Sequence, residues 1–164
     1  MPLTYPASRT RYPGASHCAR CGWVREALGV PVKGFDHAAI TVADVDATVD
    51  FYTRVLGAEP LLLDRWKRGE LPVALLQIGA ARLSVHPAAA PAAPHADVPT
   101  PGSADLCFRY DGPVSAILAR LAEHDVAVVE GPVPRPASDG SRGTSVYFRD
   151  LDGNLLEMLT LDGD

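Results

Sequence analysis

Four side chains of metal-ligating type, His37, His86, Asp105 and Glu157, fall in short apolar runs where an imidazole or a carboxylate is costly unless it has a partner. Glu157 is the sharpest case, because it stands between leucines and methionine in the run NLLEML. Two histidines with one carboxylate suit a divalent cation that keeps open coordination positions, and Zn²⁺, Ni²⁺, Mn²⁺ and Fe²⁺ all accept such a set. A cation held in that way polarises a bound carbonyl or hydroxyl, and an unligated carboxylate beside it can act as general base. As single residues three of the four also have structural readings: strand-entry groups for His37 and Asp105, a strand-end residue before proline for His86. The argument for chemistry is that all four are expected on one kind of surface.

That surface follows from alternation. In FDHAAITV, over residues 35–42, His37, Ala39 and Thr41 share one face and Ala38, Ile40 and Val42 the other. Asp44 can cap a helix carrying Val45, Val49, Tyr52, Val55 and Leu56 at helical spacing, with Gly57 as its stop. Residues 61–63, 73–78 and 81–86 then read as three short strands, parted by Gly-containing turns. After a Pro/Ala-rich connector (87–102) the same order returns: a strand over 105–110, a helix over 114–124, and strands over 126–129, 145–148 and 155–159. The chain therefore reads as an α+β fold of paired βαβββ modules, 34–86 and 103–161, within one domain of residues 34–161.

One helix covers one face of each sheet, so the other faces must meet each other or a partner, forming a barrel-like cup. If Ile40 and Val42 pack on the helix, His37 faces the cup. By the same parity, Leu106 and Phe108 send Asp105 and Cys107 there. Leu83 and Val85 send His86, and Leu156 and Met158 send Glu157.

Composition bounds the partners. The 164 residues carry a net charge of −5, with no basic excess to attract nucleic acid. No apolar run is long enough for a membrane helix. Residues 1–33 hold Arg9, Arg11, Arg20, Arg25 and Lys33 against Glu26, and are expected to be a loosely attached basic extension outside the fold. Cys18 and Cys21 form a single CARC pair without the second pair of a zinc ribbon. Three cysteines in all fit a reducing, cytoplasmic setting.

The segments FDHAAITV, FYTRVLG, LSVHP, PTPGSADLCF, EGPVPR and VYFRDLDGNLLEML resemble the vicinal oxygen chelate superfamily of glyoxalase I, fosfomycin- and bleomycin-resistance proteins and extradiol dioxygenases. The resemblance spans about residues 34–161, and is also to a small glyoxalase-like, virulence-associated subgroup. It implies a strand–turn–strand closing hairpin around Asp150 to Asn154, a first-strand ligand at His37, a last-strand ligand at Glu157, and a fourth-strand ligand in the strand of His86. Asp105 stands where glyoxalase I has histidine, a departure from that enzyme's coordination set. Leu151 stands where the subgroup's turn commonly has proline.

What the resemblance implies is a divalent-metal-dependent lyase or isomerase that chelates vicinal oxygens of a small molecule. The roles implied are ligands at His37, His86 and Glu157, Asp105 as fourth ligand or base, and Arg135 against an anionic substrate. An Fe(II) extradiol dioxygenase and a metal-free drug-sequestering protein are the alternatives. A homodimer is expected, because related folds complete their cups across a two-fold interface.

Overall fold

The computed structural model of the chain describes residues 32 and 34–162. The chain divides into two units, Met1–Gly34 and Phe35–Asp164, and the fold below is that of the second. The basic side chains before Gly34 and the Cys18/Cys21 pair lie outside the described residues.

The first module runs β1 (Ala38–Val42), α1 (Val45–Leu56), β2 (Glu59–Leu61), α2 (Leu63–Lys67), β3 (Ala74–Ile78) and β4 (Ala81–Pro87). The second runs β5 (Asp105–Tyr110), α3 (Val114–Glu123), β6 (Val128–Pro136), β7 (Arg142–Arg149) and β8 (Leu155–Thr160). Each module forms its own four-stranded sheet, in the orders β1-β4-β3-β2 and β5-β8-β7-β6. In each, the first strand pairs parallel with the last and the remaining pairs are antiparallel. This is the paired-module α+β architecture the alternation predicts.

Local signals explain the elements. The Asp44 side chain accepts from the Ala47 amide at 3.0 Å, and Gly57 ends α1 in the left-handed region at φ 68. Along α1, Val45, Val49, Tyr52 and Val55 are buried, and the helix packs on β2, β3 and β4. α3 buries Val114, Ile117 and Leu121. A single apolar core joins both modules, with Tyr52, Leu76, Phe148, Leu156 and Met158 among its most enclosed members. Burying each such side chain contributes about 1.5–3 kcal/mol.

Two elements differ from expectation. The strand expected over 61–63 stops at Leu61: Leu62 takes a left-handed conformation, φ 53, and the chain turns into the short helix α2. β6, expected over 126–129, runs instead from Val128 to Pro136 through Pro132, Pro134 and Pro136. Prolines break most strands because they lack an N–H. Here β6 is the outermost strand of its sheet, where a missing donor on the free side costs little, and register shifts on either side of Glu130 absorb the irregularity.

The modules are stitched together by the turn between β7 and β8. Asp150 is buried there and accepts from the Tyr52 hydroxyl of α1 at 2.9 Å, the Asn154 side-chain amide at 2.8 Å, and the Asn154 and Asp152 backbone amides at 2.9 and 3.1 Å. Asp152 accepts from the Ala43 amide at 2.9 Å, and Asn154 from the Ala104 amide at 2.9 Å. Burial, with the Asp150 carboxylate next, raises the pKa of the Tyr52 hydroxyl and keeps it a donor.

Candidate functional site

Register decides which side chains share a surface. In the second module Cys107 lies directly beside Glu157 on the parallel β5–β8 pair, and Tyr147 lies opposite Glu157 on β7. Asp105, Cys107 and Arg109 of β5 thus share the face of Leu155, Glu157 and Leu159, while Leu106, Phe108, Leu156 and Met158 belong to the core side. Glu157 stands on the open face, as its parity predicts, and is half-buried.

Its carboxylate is held by a network. The buried Ser145 hydroxyl donates to Glu157 Oε1. The Cys107 thiol and the Tyr147 hydroxyl also lie against it, and their ionisation responds to it. Partial burial, then the Glu157 charge, pushes the Cys107 thiol up to about 12, so it stays protonated and faces the carboxylate as a donor. Partial burial also raises the Tyr147 hydroxyl, with Glu157 adding to the shift and Arg135 opposing it. Arg135 Nε donates to the Tyr147 hydroxyl at 3.2 Å, its guanidinium lies 5.6 Å from the Tyr147 ring centroid, and its other nitrogens reach Glu130 at 2.9 Å and the Pro134 carbonyl at 3.3 Å. An open groove of about 400 Å³ runs along this surface, lined by Cys107, Arg109, Pro136, Ala137, Ser138, Glu157 and Leu159.

The open face of the first module carries the histidines. Ala39 pairs with Ser84 and Thr41 with His86, whereas Leu83 and Val85 enter the core. His86 is half-buried, and its Nδ1 is enclosed with no hydrogen-bond partner among the described residues. Burial lowers the pKa of His86, with His95 and His37 adding to the shift, so the ring is a neutral base. His37 precedes β1, is exposed, and pairs through Nδ1 with Asp36 Oδ1 at 2.8 Å, which lowers the Asp36 pKa.

Do these residues fit a divalent cation? Their types do: two neutral-capable imidazoles, one with an orphaned ring nitrogen, and a carboxylate pre-oriented by donors. Their placement is in two halves. His37 and His86 belong to the first module, Asp105 and Glu157 to the second, and among the described residues no three His, Cys, Asp or Glu side chains of one chain gather to hold a metal ion. Asp105 is exposed at the start of β5, two residues short of the position level with Glu157.

Alternation in the sequence identified the face of Glu157 but not its partners. Ser145 and Tyr147 become its neighbours only through the β7–β8 register, and Cys107 only through a parallel pairing between strands far apart in sequence.

Comparison with known proteins points one way. The profile of the Glyoxalase/Bleomycin resistance protein/Dioxygenase superfamily matches residues 34–158. Virulence protein STM3117 of Salmonella typhimurium is 34% identical over 133 residues, covering 81% of this chain and 88% of that protein. Its crystal structure superposes with a TM-score of 0.71, over 80% of this chain and 98% of that one. Glyoxalase domain-containing protein RDO1 of Mycosarcoma maydis is 36% identical over 148 residues, covering 84% of this chain and 80% of that one. A structure of the fosfomycin resistance protein FosX from Listeria monocytogenes, in complex with Mn(II), shares the fold at 18% identity and a TM-score of 0.55, over 79% of this chain and 92% of that one.

Proposed function

Because the chain belongs to the Glyoxalase/Bleomycin resistance protein/Dioxygenase superfamily, we propose that it is a divalent-metal-dependent enzyme of lyase or isomerase type, working as a homodimer on a small molecule with two neighbouring oxygens. One observation carries this reading: Glu157, set between leucines on an open face, is oriented by Ser145, Cys107 and Tyr147 as a ligand is oriented before its metal arrives.

His37, His86 and Glu157 are the ligands, with Asp105 as the fourth ligand or the general base. Since the imidazoles and carboxylates lie on different sheets and do not gather in one chain, a complete site needs the open face of a second copy. When bound, the cation supplies Lewis-acid polarisation of the substrate oxygens. The chain does the rest. The Asp36 carboxylate fixes the His37 ring, the Ser145 hydroxyl and Cys107 thiol keep the Glu157 carboxylate aimed along the groove, and Tyr147, anchored by Arg135, borders the substrate as a neutral donor. Asp105, at the exposed start of β5, takes a proton from a carbon or hydroxyl next to the chelated oxygens.

Elemental analysis of protein purified without chelator tests the reading. Wild type should carry metal and Glu157→Ala should not, and equal content in both overturns it. Mixing His37→Ala with Glu157→Ala protein tests the shared site. Each mixed dimer would keep one intact site, so metal should return to about a quarter of the wild-type content. If metal content is equal in the variants, ligand-induced thermal stabilisation that persists in EDTA would identify a metal-free binding protein instead.

A further inference from the structure

The end of helix α1 is tied to the second module by one side chain. Arg120 of α3 donates from Nε to the Val55 carbonyl at 2.5 Å and from Nη2 to the Arg54 carbonyl at 2.6 Å. These carbonyls lie in the last turn, where a helix carries a partial negative charge of about half a unit, so the guanidinium charge is only partly offset. Arg54, Arg65, Arg68, Arg109 and Arg135 each pair with a carboxylate. Arg120 is half-buried and, among the described residues, pairs with none. Of the five N–H donors of a guanidinium, two serve α1 and three are left.

Beside this cation the common core has a notch. A crevice of about 240 Å³ is lined by Val55 and Leu56 at the end of α1, Ile78 at the end of β3, Phe108 and Tyr110 of β5 and Met158 of β8, with Arg120 in its wall. Leu56, Ile78, Phe108 and Tyr110 pack on the core yet stay only half-buried. The crevice is not the groove of Glu157, because Phe108 and Met158 belong to the core side and Cys107 and Glu157 to the open face. Arg109 borders both, but it is exposed and paired with Asp139. Arg120 borders the crevice and not the groove. A cavity of about 150 Å³ lined by leucine, isoleucine and phenylalanine already admits a benzene ring. The larger volume here leaves room for a ring and a short polar arm.

We propose that this crevice is a binding site for a small aromatic monocarboxylate. The ring lies against Phe108, Tyr110 and Met158, whose rings and thioether favour an aromatic partner over a saturated one. The carboxylate meets the unused donors of Arg120. One cation without an acidic partner matches one negative charge, and a dianionic phosphate would bring a second charge that nothing offsets. Because the α1 carbonyls hold the guanidinium in place, little ordering is left for the ligand to impose. The site needs no metal, and it stands or falls apart from the proposed function.

The chain has two methionines, Met1 and Met158, so isotope labelling of methionine methyl groups puts one NMR reporter in the crevice. The full-length protein is titrated in EDTA with phenylacetate, and with acetate and phenylacetamide for comparison. Phenylacetate should shift the Met158 signal saturably at millimolar concentration or below, acetate should not, and phenylacetamide should bind about fivefold more weakly or worse. Arg120→Gln should reduce phenylacetate to the level of the amide. Since that substitution also releases the end of α1, Ile78→Trp serves as a second variant: it fills the crevice, leaves the guanidinium intact and should abolish the shift. Arg142→Gln, exposed on β7, should change nothing. Four results overturn the proposal: no saturable shift in wild type, equal affinity for acid and amide, unchanged binding in Ile78→Trp, or a loss in Arg109→Gln that Arg120→Gln does not share.

Discussion

On the core side the two modules read almost alike, and on the open side they read as different proteins. Register aligns Ala38, Ile40, Leu83 and Val85 of the first with Leu106, Phe108, Leu156 and Met158 of the second, all of them part of or packed on the common core. The same alignment sets Ala39 against Cys107, Ser84 against Glu157, and His37 against Asp105. Core positions admit few residue types, because a buried polar group without a partner is costly. Open positions carry no such constraint, and there the second module has the carboxylates Asp105 and Glu157 where the first has His37 and Ser84. The turns before the last strands differ too. Gly79 and Ala80 join β3 to β4, whereas residues 150–154 join β7 to β8 around the buried Asp150.

The sharpest way to break this comparison is at those turns. Asp150→Ala strands the Tyr52 hydroxyl and three N–H groups, and should cost about 3 kcal/mol or more, while Ala80→Ser should stay within about 0.5 kcal/mol. Chemical denaturation measures both, and a cost below about 1 kcal/mol for Asp150→Ala would refute the stitching role. The aligned core pair comes next. Leu83→Ala and Leu156→Ala should each cost about 2–5 kcal/mol and shift one shared unfolding transition, since both leucines sit in the same core. Two separate transitions would show that the modules melt independently.

Third is the pair Ala39 and Cys107, a position where only the second module has a nucleophile to titrate. In EDTA, Cys107 should react with iodoacetamide at pH 8 about a hundredfold more slowly than a free thiol, read by mass spectrometry of its peptide, and Glu157→Gln should speed it. An unchanged rate in Glu157→Gln would separate the two side chains. The smallest effect belongs to the first open face. The lowered His86 pKa means that the unfolded chain binds this proton more readily than the folded one. Stability therefore rises with pH through the ordinary histidine value of about 6.5 and is lost as pH falls below it. His86→Gln, measured in EDTA, should flatten that slope. A slope as steep as wild type would assign it elsewhere.

Most of the fold was legible because its signals are local. Asp44 and Gly57 bracket α1, and two-residue alternation marks β1, β4, β5 and β8. α2 was hidden because three consecutive leucines, 61–63, look like a strand until Leu62 turns left-handed. β6 was cut short by its prolines, since only its place at a sheet edge, a property of the whole sheet, makes them tolerable. The same divide runs through the candidate site. Alternation gives the face of His86, Asp105 and Glu157 within each strand. Which side chains touch across strands, Ser145 and Tyr147 at Glu157 above all, depends on register, and the separation of imidazoles from carboxylates depends on which sheet each strand joins.

The connector after β4 has one further consequence. It contributes no strand to either sheet, and much of it is exposed. What unites the halves lies elsewhere, in the common core and in bonds between the modules, among them those from Tyr52 to Asp150 and from the Ala43 amide to Asp152. The gene thus has a natural seam. Cleaved near Pro94, the polypeptide would yield two fragments, each burying the other's exposed leucines and each holding one end of those bonds, so the pair should reassemble when co-expressed and serve as a split reporter whose signal returns only when both fragments meet.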